Sequence, residues 1–128
     1  MAMQHGPAES DLHADEASAL TAAGELFQCF SDPSRLVILQ HLQLGEHRVV
    51  DLVEHLDLSQ STVSKHLAHL KQAGLVRSRP EGRASMYSLV HPDALVELLT
   101  VAEKLLALTG DSVQLRPVPH AHDPGVAE

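Results

Sequence analysis

Apolar residues recur at helical spacing in five stretches of the chain, and turn-forming residues separate these stretches. Asp32-Pro33 is typical of a helix start, because proline fits the first helical position. Gly74 is typical of a helix end, where glycine accepts the left-handed conformation. Short strands at 76–79 and 85–89 surround a turn at 80–83, which predicts a β-hairpin. The predicted helices cover residues 15–30, 33–42, 49–56, 60–73 and 92–109.

This pattern predicts one mainly α domain over residues 15–110, with five helices and a small two-stranded β-hairpin. Residues 1–14 are polar and acidic, which predicts a disordered leader. Prolines recur in residues 111–128, which predicts a flexible, histidine-containing tail. No apolar run approaches the roughly 18 residues of a membrane span, and the first residues lack the pattern of a signal peptide. We therefore expect a cytoplasmic protein with no membrane partner.

Charge is unevenly distributed along the chain. The whole sequence has a net charge of −8 with histidine neutral, which by itself argues against binding nucleic acid. Residues 59–83, however, contain five basic side chains and one acidic one, a local charge of +4 that leaves −12 for the rest. A basic face on an acidic body is sufficient for contacts with phosphate groups.

The third and fourth predicted helices, joined by a short turn, have the helix-turn-helix arrangement, and the basic hairpin that follows them corresponds to a wing. The fourth helix begins with polar side chains that are small or carry an amide, and such side chains can approach base edges. Basic side chains on this helix and on the hairpin can hold phosphates or enter the minor groove. The residues that we expect to contact DNA are Gln60, Ser61, Thr62, Ser64, Lys65, Arg77, Arg79 and Arg83.

Four segments together resemble the ArsR/SmtB family of winged helix-turn-helix transcriptional repressors. They are Phe30-Ser31-Asp32-Pro33-Ser34-Arg35-Leu36, Asp51-Leu52-Val53, Ser59-Gln60-Ser61-Thr62-Val63-Ser64-Lys65-His66-Leu67, and Gly82-Arg83 with Tyr87. The resemblance covers about residues 20–110. It implies a homodimer built on the first and last helices and bound to a two-fold symmetric operator in double-stranded DNA. It also implies release from DNA when an inducer, often a metal ion, binds.

Two kinds of metal site found in this family do not transfer to the chain. One branch uses cysteines of the third helix, where this chain has Arg48 and Val50. A second branch uses an Asp-x-His pair at the start of the last helix and two later ligands. Here the pair is reversed as His91 and Asp93, and the later positions hold a lysine and an alanine. These residues are more typical of a helix start than of a metal site.

A third branch, which senses cadmium or lead, pairs two cysteines of the recognition helix with one from the partner's C-terminal tail. The corresponding positions here are His69 and Ala73, and the tail supplies His120, His122 and Asp123. A site made of His69, His120 and His122 would be rich in nitrogen ligands, which suits Zn(II) or Ni(II) as the inducer. The alternative is that His69 is an ordinary surface residue and the tail is disordered.

The sequence therefore predicts a homodimeric DNA-binding transcriptional repressor that is relieved by a transition-metal ion. One alternative is a regulator of the same family that responds to a non-metal signal. Another is a winged-helix interaction or metal-buffering module that binds no operator. An enzyme is not expected, because Ser64 and His66 point in different directions on one helix and no phosphate-binding glycine loop is present. Cys29, the only cysteine, is more typical of packing than of redox sensing.

Overall fold

The computed structural model of the protein describes residues 2–117, with side chains from residue 15 onward. These residues form α1 (Ala2–Gln28), α2 (Pro33–Leu42), β1 (His47–Arg48), α3 (Val49–Leu56), α4 (Gln60–Gln72), β2 (Val76–Glu81), β3 (Ala84–Leu89) and α5 (Pro92–Leu108). The five helices and the β2–β3 hairpin confirm the predicted winged helix-turn-helix fold. No helix among the described residues is long and apolar enough to cross a membrane.

The helix boundaries follow from local signals in the sequence. The Asp32 carboxylate caps α2 by accepting a hydrogen bond from the Ser34 amide at 2.7 Å. Asp57 ends α3 in the left-handed conformation, at φ 55°, and Gly74 follows α4 at φ 84°. Asparagine, aspartate and glycine tolerate this conformation better than other residues. The turn after Asp57 is what connects the two helices of the helix-turn-helix unit.

The structure differs from the prediction at two elements. A third strand, β1, pairs with β3 in the antiparallel order β1-β3-β2, with His47 opposite Tyr87. A strand of two residues is too short to show the alternation of apolar and polar side chains that predicts a strand. The backbone of α1 begins at Ala2 rather than at Asp15, across the segment predicted as a leader. Alanine, which favours helix, occurs three times in residues 2–14, although no apolar period marks the segment.

The hydrophobic core lies between the helix-turn-helix unit, α2 and the sheet. Its fully buried side chains are almost all aliphatic, as the scarcity of aromatic residues predicts, and α5 contributes only two residues to it. The core residues are Cys29, Ile38, Leu39, Leu42, Leu52, Val63, Leu67, Leu70, Val76, Leu89, Leu95, Leu99 and Leu115. Neither α1 nor α5 takes part in the extensive backbone contacts that join α2, α3, α4 and the sheet.

The segment after α5 packs back onto the domain over residues 111–117, which the sequence predicted as the start of a flexible tail. Glu103 of α5 accepts hydrogen bonds from the backbone amides of Leu115 at 2.7 Å and Arg116 at 3.1 Å. The same carboxylate forms an ion pair with the Arg116 guanidinium at 2.7 Å. Leu115 is buried against the core. The rest of the predicted tail, residues 118–128, lies outside the described residues.

Candidate nucleic-acid interface

The start of α4 is fixed by a serine cap. The Ser59 hydroxyl accepts a hydrogen bond from the Thr62 amide at 3.1 Å and also donates to the Thr62 hydroxyl at 2.8 Å. It lies 3.2 Å from the Ser61 hydroxyl as well. Thr62 is therefore half-buried and engaged by the cap, whereas Ser61 remains exposed.

The two sides of α4 differ in polarity. Val63, Leu67 and Leu70 are fully buried in the core. The opposite side exposes four of the predicted DNA-contacting side chains, Gln60, Ser61, Ser64 and Lys65. Because side chains three and four residues apart share one helix face, these four form a continuous polar edge at the start of α4. We call them the reading edge.

The wing consists of β2, β3 and the two-residue turn Gly82-Arg83 between them. Gly82 has a φ of 62°, and Glu81 pairs with Ala84 on either side of the turn. Glycine at the first turn position is typical of a type II′ hairpin, whose twist matches that of the strands. The tight turn leaves Arg83 exposed at the tip of the wing. Arg77 is also exposed, near the base of β2.

Arg79 is held by two carboxylates. It donates to Glu46 from Nε at 3.0 Å and from Nη2 at 2.8 Å, and it also pairs with Glu81. The hydrogen bonds from Arg79 hold the pKa of the Glu46 carboxyl below its usual range. This two-point contact ties the wing to the connection between α2 and β1. By contrast, no carboxylate among the described side chains forms an ion pair with Lys65, Arg77 or Arg83.

A second tether joins the wing to α4. The Lys71 ammonium, near the end of the helix, donates to the Ser78 hydroxyl on β2 at 2.8 Å. Leu75 also donates a backbone hydrogen bond to Leu70 at 3.0 Å, across the helix end. Together with the contact between Arg79 and Glu46, these bonds fix the direction of the wing relative to the reading edge.

Arg35 of α2 links the end of α1 to α4. Its guanidinium donates to the carbonyl oxygens of Gln28 at 2.6 Å and Cys29 at 3.3 Å, at the end of α1. A third contact, at 3.3 Å, reaches Nδ1 of His66 on α4. The motif that contains Arg35 is visible in the sequence, but its partners are not. Glu46 was missed for the same reason, since it lies 33 positions from Arg79.

The sequence-predicted metal ligands are only partly described. His69 is half-buried and lines a cavity of about 160 Å³ with Glu25, Gln28, Gln72 and Ala73. His120 and His122 lie outside the described residues. In the described part of the chain, no group of three or more His, Cys, Asp or Glu side chains is placed to hold a metal ion.

Of the other positions compared with family metal sites, Arg48 has a structural role. Arg48 forms a hydrogen-bonded ion pair with Asp51, and its backbone amide donates to the same carboxylate at 3.0 Å. These bonds lower the pKa of Asp51 and fix the start of α3. His91 and Asp93 are exposed at the start of α5. Cys29 is fully buried, and burial raises the pKa of its thiol, which disfavours the reactive thiolate.

Comparison with known proteins connects this geometry to a family. The sequence profile described as "Bacterial regulatory protein, arsR family" matches residues 32–78, from the cap of α2 into β2. An uncharacterized HTH-type transcriptional regulator of Methanocaldococcus jannaschii is 38% identical over 84 residues, which are 65% of this chain and 93% of that protein. The arsenical resistance operon repressor of Staphylococcus xylosus is 44% identical over 66 residues, 52% of this chain and 64% of that one.

A solved structure shares the fold over most of both chains. It is the homodimeric winged helix-turn-helix DNA-binding domain of a possible ArsR-family regulator from Mycobacterium bovis. It is 27% identical, has a TM-score of 0.64, and covers 77% of this chain and 93% of that one. These relatives are DNA-binding regulators rather than enzymes. The chain therefore belongs to the ArsR/SmtB family of winged helix-turn-helix transcriptional repressors.

Proposed function

We propose that the protein represses transcription as a homodimer by placing the reading edge of α4 in the major groove of an operator. The observation that carries this proposal is the continuous exposed polar edge of Gln60, Ser61, Ser64 and Lys65 on a helix whose other side is buried. In this proposal Gln60, Ser61 and Ser64 approach base edges, because a glutamine amide can bond adenine in two places and serine can bond either partner of a pair.

The basic residues divide into two roles. Lys65, Arg77 and Arg83 are exposed, and they hold DNA phosphates or, at the tip of the wing, enter the minor groove. Arg79 has its guanidinium occupied by Glu46 and Glu81, so it positions the wing instead of contacting DNA. Thr62 likewise supports the reading edge through the Ser59 cap.

The dimer is built on the apolar groove between α1 and α5. This groove has a volume of about 490 Å³, and Phe27, Leu105 and Leu106 are among its lining residues. Phe27 and Leu105 are 60% and 62% exposed. Exposed apolar side chains that cluster in one groove are typical of an interaction surface. The occupant is a second copy, because the structural relative from Mycobacterium bovis is homodimeric.

The inducer is a transition-metal ion such as Zn(II) or Ni(II), held by His69 with His120 and His122 of the tail. Its support is the half-buried position of His69 in a cavity that Glu25 also lines, and the similarity to an arsenical resistance repressor. Imidazole nitrogen suits Zn(II) and Ni(II). The described residues contain no complete set of ligands, so the site requires the tail.

The test begins with selection of an operator from a random duplex library, followed by fluorescence anisotropy of the full chain. Replacing Ser61 and Ser64 with Ala should reduce operator affinity strongly and reduce binding to random duplex little, because these side chains read bases. The matched control is Ser85→Ala, an exposed serine on β3. Failure to select any duplex would overturn the proposal.

Metal relief is measured on the same complex. Zn(II) or Ni(II) should lower the operator affinity of the full chain but not of a chain truncated after Pro117, which lacks both tail histidines. If no metal changes the operator affinity, the proposal of a repressor stands and the proposal of a metal inducer is excluded. A non-metal inducer would then be tested.

A further inference from the structure

Three histidines that are scattered in the sequence lie together in the fold. His41 is on α2, His47 is on β1, and His55 is on α3. The ring centroids are separated by 5.1 Å between His41 and His55, and by 6.1 Å from His47 to each of the other two. We call these residues the histidine triad. It involves none of the residues proposed above to bind DNA or the inducer.

Two of the three rings are oriented by backbone carbonyl groups. Nδ1 of His41 lies 2.9 Å from the Val37 carbonyl oxygen, and Nδ1 of His47 lies 2.8 Å from the Gly45 carbonyl oxygen. A carbonyl oxygen only accepts, so each Nδ1 must carry the proton. In the neutral ring the lone pair is then on Nε2. This is the arrangement by which backbone carbonyls orient metal-binding imidazoles.

The spacing of the rings also suits one shared ion. With metal–nitrogen bonds of about 2.0–2.1 Å, three imidazoles around a tetrahedral ion have ring centroids roughly 5 Å apart. In the triad, the separation of His41 and His55 equals this distance, and the two separations that involve His47 are about 1 Å longer. As the described side chains stand, their donor atoms do not form a ligating group. His55 is exposed, so its ring can turn to another staggered rotamer without disturbing the core.

We propose that the histidine triad binds one divalent transition-metal ion of the nitrogen-preferring class, with Zn(II) as the reference ion, through three imidazoles and water. Turning of the His55 ring about its side-chain bonds closes the site. The bound ion connects α2, α3 and β1, and β1 pairs with the wing strand β3. The ion therefore stabilises the helix-turn-helix unit against the sheet and raises the thermal unfolding midpoint. This site is separate from the one proposed at His69 and the tail.

The test uses the untagged full chain carrying His69→Gln, His120→Gln and His122→Gln, so that the proposed inducer ligands are absent. Calorimetric titration with Zn(II) should show one equivalent bound. His41→Gln, His47→Gln and His55→Gln should each weaken binding by about tenfold or more, because removing a ligand costs at least as much as removing its orienting partner. His91→Gln is the matched control, an exposed histidine outside the triad, and should leave binding unchanged.

A second measurement needs no substitution within the triad. In ¹H–¹⁵N spectra of the same background protein, Zn(II) should shift the Nε2 resonances of these three rings. Stoichiometric binding that survives all three substitutions, as ligands elsewhere in the chain would give, overturns the proposal. No binding at all also overturns it. Neither result bears on operator binding or on metal relief through the tail, which the chain with His69, His120 and His122 intact tests separately.

Discussion

Nη1 of Arg35 lies 3.3 Å from Nδ1 of His66, and this contact joins α2 to the helix that carries the reading edge. An arginine side chain only donates, so Nδ1 of His66 must accept and its proton must be on Nε2. The same guanidinium also donates to the last carbonyl groups of α1. The Arg35 side chain therefore connects α1, the proposed dimer helix, to α4, the proposed recognition helix.

Replacing Arg35 with Ala should lower the free energy of unfolding by about 2 kcal/mol, because two carbonyl groups and one imidazole lose a charged donor. Urea denaturation measures this change. ¹⁵N spectra should find His66 as the Nε2–H tautomer in the unsubstituted protein and as a mixture of tautomers in the variant. A dominant Nδ1–H tautomer in the unsubstituted protein would contradict the contact.

Arg83 and Arg79 should respond differently to substitution, although both are on the wing. Arg83→Ala should weaken binding to all duplexes and lower the slope of log affinity against log salt by about one, as expected of a phosphate contact. Arg79→Ala should leave that slope nearly unchanged, because its guanidinium is already paired with Glu46. Anisotropy at several salt concentrations measures both slopes.

Glu46→Gln provides the matched test of the wing contact. The effects of Arg79→Ala and Glu46→Gln on stability should not be additive, because each removes the same pair, whereas Arg83→Ala and Glu46→Gln should be additive. Additivity in the first pair would show that Arg79 acts without Glu46.

The Ser59 cap should be measurable in the stability of the domain. Ser59→Ala should lower the free energy of unfolding by about 1 kcal/mol, since the Thr62 amide loses its acceptor. Ser59→Asp should retain most of the stability, because aspartate caps as well as serine does. Ser64→Ala is the control on the exposed face and should change stability by less than about 0.5 kcal/mol. Equal losses in the two alanine variants would argue against the cap.

Acid should release the segment after α5. The Arg116 guanidinium and two backbone amides lower the pKa of Glu103 to about 2 from an ordinary value of 4.5. A depressed carboxyl pKa contributes stability that is present above the ordinary value and is lost as the pH falls from about 4.5 towards 2. The protection of the Leu115 and Arg116 amides against hydrogen exchange, relative to an unstructured peptide at the same pH, should fall over this window. In Glu103→Gln, this protection should already be low at pH 6.

Dimerisation should depend on the groove between α1 and α5. Leu105→Asp places a charge on its exposed apolar surface and should shift the protein to monomer, as measured by sedimentation equilibrium. Leu44→Asp is the matched control, since Leu44 is also highly exposed but lies outside the groove. Equal dissociation in both variants would point to a general loss of folding instead.

Local signals in the sequence were enough to predict α2 to α5 and the wing. Asp32, Pro33 and Gly74 act within a few residues of their own position, so their effect can be predicted without tertiary structure. The pair formed by Arg79 and Glu46 could not be predicted in this way, because it joins residues that are far apart in the chain. Charged residues on the surface also show no regular spacing from which a partner could be inferred. The exposure of Gln60, Ser61, Ser64 and Lys65 follows from the helical period of α4, and the contacts of all the predicted residues with DNA stay predictions.

The histidines illustrate the limit of spacing arguments. His41, His47 and His55 are six and eight positions apart, and this spacing does not by itself predict a shared site. They meet only because α2, β1 and α3 pack together. His69, which was selected by comparison with the family, lines a cavity with Glu25 that the sequence did not predict.

The most direct test of the central claim is hydroxyl-radical footprinting of the full chain on its selected operator. A homodimer with one reading edge per subunit should protect two half-sites related by two-fold symmetry, with centres about 34–36 Å apart. Protection of a single half-site by a monomer, or uniform weak protection without sequence preference, would contradict the account.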